Sequence, residues 1–217
     1  MSDTTIDSDA MLSELQARVL GSLMEKQMTT PDYYPLTLNA LVAACNQKSS
    51  RNPVMSLTPQ QVGTVINELR HEGLVTANTL ARADRYEQFF SRKLNLSSKE
   101  RAIVCVMLLR GAHTLNEIKV NTNRMVEFAN HDEILQSLNK LMERDEPMVV
   151  LIPRAHGQRE DRYTHLLCGM PDIETVTVKA PSTASPLPDN ALTRITRLEE
   201  TVAQLQQEVK QLKGLES

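Results

Sequence analysis

The sequence predicts a mainly α protein with small β-hairpins, an α+β fold in which one module is built twice and followed by a helical tail. Three observations predict it. First, Thr37-Leu38-Asn39-Ala40-Leu41 returns as Thr114-Leu115-Asn116-Glu117-Ile118, and Asp84-Arg85-Tyr86 returns as Asp161-Arg162-Tyr163, both at an offset of 77 residues. A repeat of that length is a tandem domain rather than a solenoid unit. Second, within each copy the apolar spacing passes from helical to strand-like in the same order. Third, a proline-rich stretch after the second copy gives way to apolar heptads.

Residues 1–10 are acidic and polar and are expected to be disordered. The first module, residues 11–95, opens with Leu12, Leu15, Val19, Leu20 and Leu23 at helical spacing, and Leu38, Leu41 and Val42 mark a second helix. A third begins at Thr58-Pro59-Gln60-Gln61, where Thr58 can cap, Pro59 suits the first turn and Gln61 can close a capping box. Its inward stripe is Val62, Val65, Ile66 and Leu69. Gly73 then breaks the pattern, and residues 74–80 and 85–94 read as two extended segments around an Ala81–Asp84 tip. Three helices and a β-hairpin in this order predict a winged helix-turn-helix.

The second module, residues 96–176, carries its own start signals. Ser97 to Glu100 is a capping box ahead of Ile103, Val104, Met107 and Leu108, and Asn130 caps a third helix whose inward residues are Ile134, Leu138, Leu141 and Met142. Residues 148–152 and 163–167 are its expected strands, joined by a polar tip.

Two stretches carry a family resemblance. Arg18-Val-Leu-Gly-Ser-Leu-Met-Glu-Lys-Gln-Met-Thr-Thr-Pro-Asp-Tyr-Tyr-Pro-Leu-Thr-Leu-Asn-Ala-Leu41 and Ala44-Cys-Asn-Gln-Lys-Ser-Ser-Arg-Asn-Pro-Val54 resemble the YceH family of bacterial proteins, and the likeness extends through both modules to about residue 170. The resemblance implies tandem winged-helix domains and no settled biochemical function.

Residues 177–189 hold Pro181, Pro186 and Pro188 among small polar residues and read as a linker. In residues 190–213, Ile195, Val202 and Val209 alternate with Leu198, Leu205 and Leu212, placing β-branched residues at a and leucine at d. That pattern favours a parallel two-stranded coiled coil and hence a homodimer, with Arg194 facing Glu199 and Glu208 facing Lys213 across the pair. The alternative is an amphipathic helix folded back on its own domain.

Composition narrows the function. Hydrophobic residues make up 41% and charged residues 24%, and no apolar run approaches the length of a membrane span, so a cytoplasmic protein without membrane association is expected. The N-terminus lacks the basic start and apolar run of a secretory signal. Cys45, Cys105 and Cys168 are unpaired in spacing and read as buried small hydrophobes. The five histidines have no metal-ligand spacing, and neither a phosphate-binding glycine loop nor a nucleophile elbow is present, so no enzyme activity, cofactor or metal is expected. Glu25 and Lys26, beside Asp32-Tyr33-Tyr34, read as a solvated pair that ends a helix and supports a loop.

The formal charge of −3 is balanced along the chain, with nine Lys/Arg against ten Asp/Glu over 1–95 and ten against ten over 96–170. A nucleic-acid surface must therefore be a local patch. The first module offers one. Opposite the buried stripe, its third helix presents Gln60, Thr64, Asn67 and His71, hydrogen-bonding side chains suited to base edges in a major groove. Lys48 and Arg51 in the preceding loop, with Arg82, Arg85, Arg92 and Lys93 on the hairpin, are candidate phosphate contacts on double-stranded DNA. The third helix of the second module exposes Asp132, Glu133, Gln136, Lys140 and Glu143, and its carboxylates repel phosphate. That module reads instead as a packing surface or a site for a protein partner. Two functions emerge: a dimeric, regulator-like protein that reads DNA through the first module, or a protein–protein adaptor built on tandem winged helices.

Overall fold

The computed structural model describes residues 11–79, 83–154 and 158–170. Residues 1–10, the proline-rich stretch and the heptad segment from Ile195 to Leu212 lie outside them, as does Arg82. Chain order runs α1 (Glu14–Thr29), β1 (Leu36–Thr37), α2 (Leu38–Cys45), α3 (Pro59–His71), β2 (Val75–Asn78), β3 (Arg85–Gln88), α4 (Phe90–Lys93), α5 (Ser98–Arg110), α6 (Leu115–Thr122), α7 (His131–Met142), β4 (Val149–Ile152) and β5 (Arg162–His165). A 3-10 turn over Pro31–Tyr33 precedes β1. The described fold is thus α+β, helices with two small antiparallel sheets ordered β1-β3-β2 and β4-β5. Among the described residues no helix is long and apolar enough to cross a membrane.

The helices start where side chains satisfy their first backbone N–H groups. Thr58 and Gln61 form a capping box on α3, Ser97 and Glu100 form one on α5, and Asn130 accepts from the Glu133 amide to cap α7. Gly73, at φ +69°, takes the left-handed turn that ends α3 and leads into β2.

The sequence repeat has a structural cause at each of its positions. Thr37 caps α2 and Thr114 caps α6. The Arg85 guanidinium donates to the Pro35 carbonyl at 2.9 Å, and Arg162 donates to the Ala112 carbonyl at 3.1 Å, the same bond one repeat later. Tyr86 pairs with Leu36 across β3 and β1, while Tyr163 forms an isolated bridge with His113. Each repeated motif therefore holds the entry of a second helix against the hairpin.

The two halves share one apolar core, with its centre where α1 crosses α5. Helical spacing alone expects one buried stripe per helix, yet α1 buries every residue from Gln16 to Met24 and α5 every residue from Ala102 to Leu109. Each is covered on one side by its own half and on the other by its counterpart. Gly21 permits the close approach, since a Cβ there would sit 3.0 Å from the Leu109 side chain. The Cys105 thiol donates to the Gly21 carbonyl at 3.4 Å.

One expected element is corrected. The extended segment expected to run to residue 94 stops at Gln88, and Phe90–Lys93 turns into the short helix α4. The Phe89 and Phe90 amides both converge on the Leu74 carbonyl, Gln88 Oε1 accepts from the Ser91 amide, and the Phe90 ring is fully buried. Burying that ring turns the chain out of the strand toward the second half.

Candidate functional site

Helix α3 sits on the core through Val62, Val65, Ile66 and Leu69, each no more than 5% exposed. At 100° per residue the outward Gln60, Thr64, Asn67 and His71 fall within an arc of about 60°, and all four are exposed. Thr64 Oγ1 donates back to the Gln60 carbonyl at 3.1 Å, leaving its oxygen lone pairs outward. Exposed Arg70 lies about 80° to one side of this strip and Glu68 about 80° to the other. The Gln16 amide reaches Glu68 at 3.3 Å and Glu72 at 3.1 Å, tying the acidic flank of α3 to α1. Arg70 was not among the residues singled out from sequence, although its place three residues after Asn67 puts it beside the same strip.

The candidate phosphate-contacting cations scatter. Lys48 is exposed in the 46–58 loop, and Arg85 is exposed on β3 while it donates to the Pro35 carbonyl. Arg92 and Lys93 leave the hairpin with α4: Arg92 lies over the Phe89 ring, 5.3 Å from its centroid, and Lys93 Nζ donates to the Glu72 carbonyl at 2.8 Å near the end of α3.

Arg51 is corrected outright, because it points inward and is only 6% exposed. Its guanidinium donates to Glu25 Oε1 at 3.1 Å and Oε2 at 2.6 Å, to the Ala44 carbonyl at 3.1 and 2.9 Å, and to the Ser50 carbonyl at 2.8 Å. All five of its N–H donors are engaged, so it has none to offer a phosphate. Glu25 is corrected with it, since its carboxylate is the inner partner of Arg51 rather than half of a solvated pair, with Lys26 at 3.6 Å on its other side.

This network holds the loop ahead of α3. Arg18, 2% exposed, donates to the carbonyls of Cys45 at 3.3 Å and Pro53 at 2.6 Å. Burial and the neighbouring Arg51 charge both lower its pKa. Asn46 spans the loop in both directions, donating to the Leu57 carbonyl at 2.8 Å and accepting from the Leu57 amide at 2.7 Å. The Asn52 amide donates to the Leu109 carbonyl at 2.9 Å, so the loop also closes the C-terminal end of α5. Much of the Ala44–Val54 stretch that carries the family resemblance is thus a structural clasp between the halves.

The matching face of α7 carries exposed Asp132, Gln136, Lys140 and Glu143, and Glu133 pairs with Lys99. The hydrogen bond from Lys99 holds the Glu133 carboxyl below its usual range. Arg162 is drawn to Glu117, at 2.9 and 3.3 Å, and the backbone amide of Arg154 donates to Asp161 at 2.9 Å.

Among the described residues no group of three His, Cys, Asp or Glu could hold a metal ion. Burial raises the Cys45 and Cys105 thiols and pushes Cys168 up to about 11, which disfavours thiolates at neutral pH. Burial lowers His113 and pushes His165 down to about 4, so both imidazoles are neutral in the fold.

Residues 12–158 match the family model described as a protein of unknown function, DUF480. The chain belongs to the DUF480/UPF0502 family. This family corresponds to the YceH family that the sequence resembles. A UPF0502 protein of Cellvibrio japonicus is 44% identical over 207 residues, covering 94% of this chain and 95% of the relative. One from Stenotrophomonas maltophilia is 40% identical over 218 residues, covering 99% of this chain and 100% of the relative. A third, from Pseudomonas paraeruginosa, is 48% identical over 166 residues, covering 76% of this chain and 74% of the relative.

Proposed function

We propose that each half of this DUF480/UPF0502 protein is a winged helix, and that the protein is a non-enzymatic, cytoplasmic, regulator-like binder of double-stranded DNA whose reading helix is α3. The observation that carries this reading is the narrow outward strip of Gln60, Thr64, Asn67 and His71, exposed and free of carboxylates, lysines and arginines on a helix whose opposite side is anchored in the core. Amide and hydroxyl side chains of this kind suit base edges, with Asn able to bond an adenine in two places. Lys48, Arg70 and Arg85 are exposed cations able to meet phosphates in this reading, Arg92 and Lys93 are exposed on α4 beside them in the chain, and Arg51 is not among them. Three phosphate contacts correspond to a salt slope of about −2.7, a weak grip for one copy. A dimer formed through Ile195, Leu198, Val202, Leu205, Val209 and Leu212 would present two reading helices and strengthen it. Removing residues after 183 should then convert a micromolar dimer to monomer in sedimentation equilibrium. Unchanged mass would remove the coiled coil from the proposal.

The second reading, a protein–protein adaptor, is favoured by the exposed carboxylates Asp132 and Glu143 on the α7 face and by the burial of Arg51 within the fold. Crosslinking in cells, recovery of the protein, sequencing of attached DNA and identification of co-recovered proteins separate the two. Enrichment of discrete genomic sites supports the DNA reading. Proteins recovered without enriched DNA favour the adaptor.

A further inference from the structure

The 46–58 loop and the end of α1 face α5 and α6 across a cleft of about 530 Å³. That volume lies within the range of small-molecule sites, roughly 300–1,000 Å³. Four cations line it: Lys26 from α1, Lys48 from the loop, Arg110 at the end of α5 and Arg124 just after α6. Among the described residues the one carboxylate in the lining is Glu25, and both of its oxygens accept from Arg51. The cleft therefore carries an excess of positive charge in a chain whose formal net charge is −3. A concave site lined by one sign of charge concentrates ions of the other sign.

The cations differ in depth. Lys48 and Arg124 are exposed at the rim, whereas Arg110 and Lys26 are half-buried. Arg110 has one side-chain partner, Asn121 Oδ1 at 2.7 Å, which is neutral. Burial accordingly holds the Arg110 pKa below its ordinary value. Val106, Leu109 and Met125 add apolar surface to the lining. Such a site suits a compact solute with a concentrated negative charge.

We infer that this cleft binds a small phosphate-bearing anion, held between Lys48 of the loop and Arg110 and Arg124 of the α5–α6 segment. Such an anion bridges the two halves and ties down the loop that leads into α3. The inference does not depend on the DNA reading.

The test is calorimetric titration of the full chain with inorganic pyrophosphate in low salt, repeated on Lys48→Ala, Arg124→Ala and Lys140→Ala, with thermal melts of each. All three altered side chains are exposed, so the variants should fold as wild type does. Wild type should bind one pyrophosphate and melt at higher temperature in its presence. Lys48→Ala and Arg124→Ala should each weaken binding about tenfold, the loss expected for a charge-assisted hydrogen bond, and Lys140→Ala should leave it unchanged. The inference is overturned if wild type binds no pyrophosphate, or if Lys140→Ala weakens binding as much as the cleft variants, which would mark general surface screening. It is also overturned if Arg124→Ala weakens binding to a DNA duplex while leaving pyrophosphate affinity intact, because the cleft would then be a nucleic-acid contact.

Discussion

Replacing Arg51 with alanine distinguishes an inward structural role from a phosphate-contacting one. The side chain is 6% exposed and donates to Glu25, Ala44 and Ser50 through all of its N–H groups. Removing it leaves the mostly buried Glu25 carboxylate facing Lys26 alone, strips the Ala44 carbonyl of its side-chain donor and loosens the loop that closes α5. Breaking a buried ion pair from one side typically costs about 3 to 5 kcal/mol. With Glu25 at 13% side-chain exposure, water can reach part of the gap, so the lower end, about 3 kcal/mol, is expected. Arg51→Lys should recover only part of this, because an ammonium cannot bond both carboxylate oxygens and the Ala44 carbonyl in one plane. Urea melts of wild type, Arg51→Ala, Glu25→Ala and the double variant give the coupling energy directly, expected above about 1.5 kcal/mol. A loss below about 0.5 kcal/mol for Arg51→Ala, as for ordinary surface residues, would refute the inward role and return Arg51 to the pool of free cations.

Two further outcomes follow from packing and burial. Leu69→Ala should cost about 2 to 5 kcal/mol, against less than ~0.5 for Gln60→Ala, and similar urea midpoints for the two would mean that the faces of α3 are exchanged. Stability should also fall on acidification: the fold depresses the pKa of His165 to about 4 and lowers that of His113, so the unfolded chain takes up protons below about pH 6.5 that the folded chain refuses. The loss begins near pH 6.5, continues toward pH 4 and amounts to about 3 kcal/mol at most from His165. Urea midpoints at pH 7.5, 5.5 and 4.5 read it, and a His165→Leu variant with an undiminished slope would contradict the assignment.

Local signals in the sequence were read well where the physics is local. The capping residues Thr58, Ser97 and Asn130, the inward stripe of α3 and the turn at Gly73 all depend on neighbours within a few positions, and the structure has each in place. The family is legible too, because the Arg18–Leu41 and Ala44–Val54 stretches are dense in distinctive residues. Tertiary contacts account for the failures. Nothing local distinguishes Arg51 from Lys48 three residues earlier, and only the fold brings Glu25 beside it from 26 positions away. The helical turn at Phe90 depends on a ring finding the shared core. The two-sided burial of α1 and α5 depends on the halves packing against each other, which one-helix periodicity cannot register. Arg18 shows the same limit, since its carbonyl partners Cys45 and Pro53 come from 27 and 35 positions away.

The outward strip of α3 is the central claim, and Asn67→Ala tests it most directly. Fluorescence anisotropy on a genomic fragment recovered by crosslinking, alongside a scrambled fragment of equal length and across a salt series, separates base reading from charge. Asn67→Ala should narrow the gap between the two fragments by about 1 to 3 kcal/mol while leaving the salt slope unchanged. Lys48→Ala should instead weaken both fragments alike and flatten the slope by about one unit. Wild-type affinity for either fragment no tighter than about 10⁻⁴ M at low salt, weaker than ordinary non-specific binding, would contradict the account and leave the adaptor reading in its place.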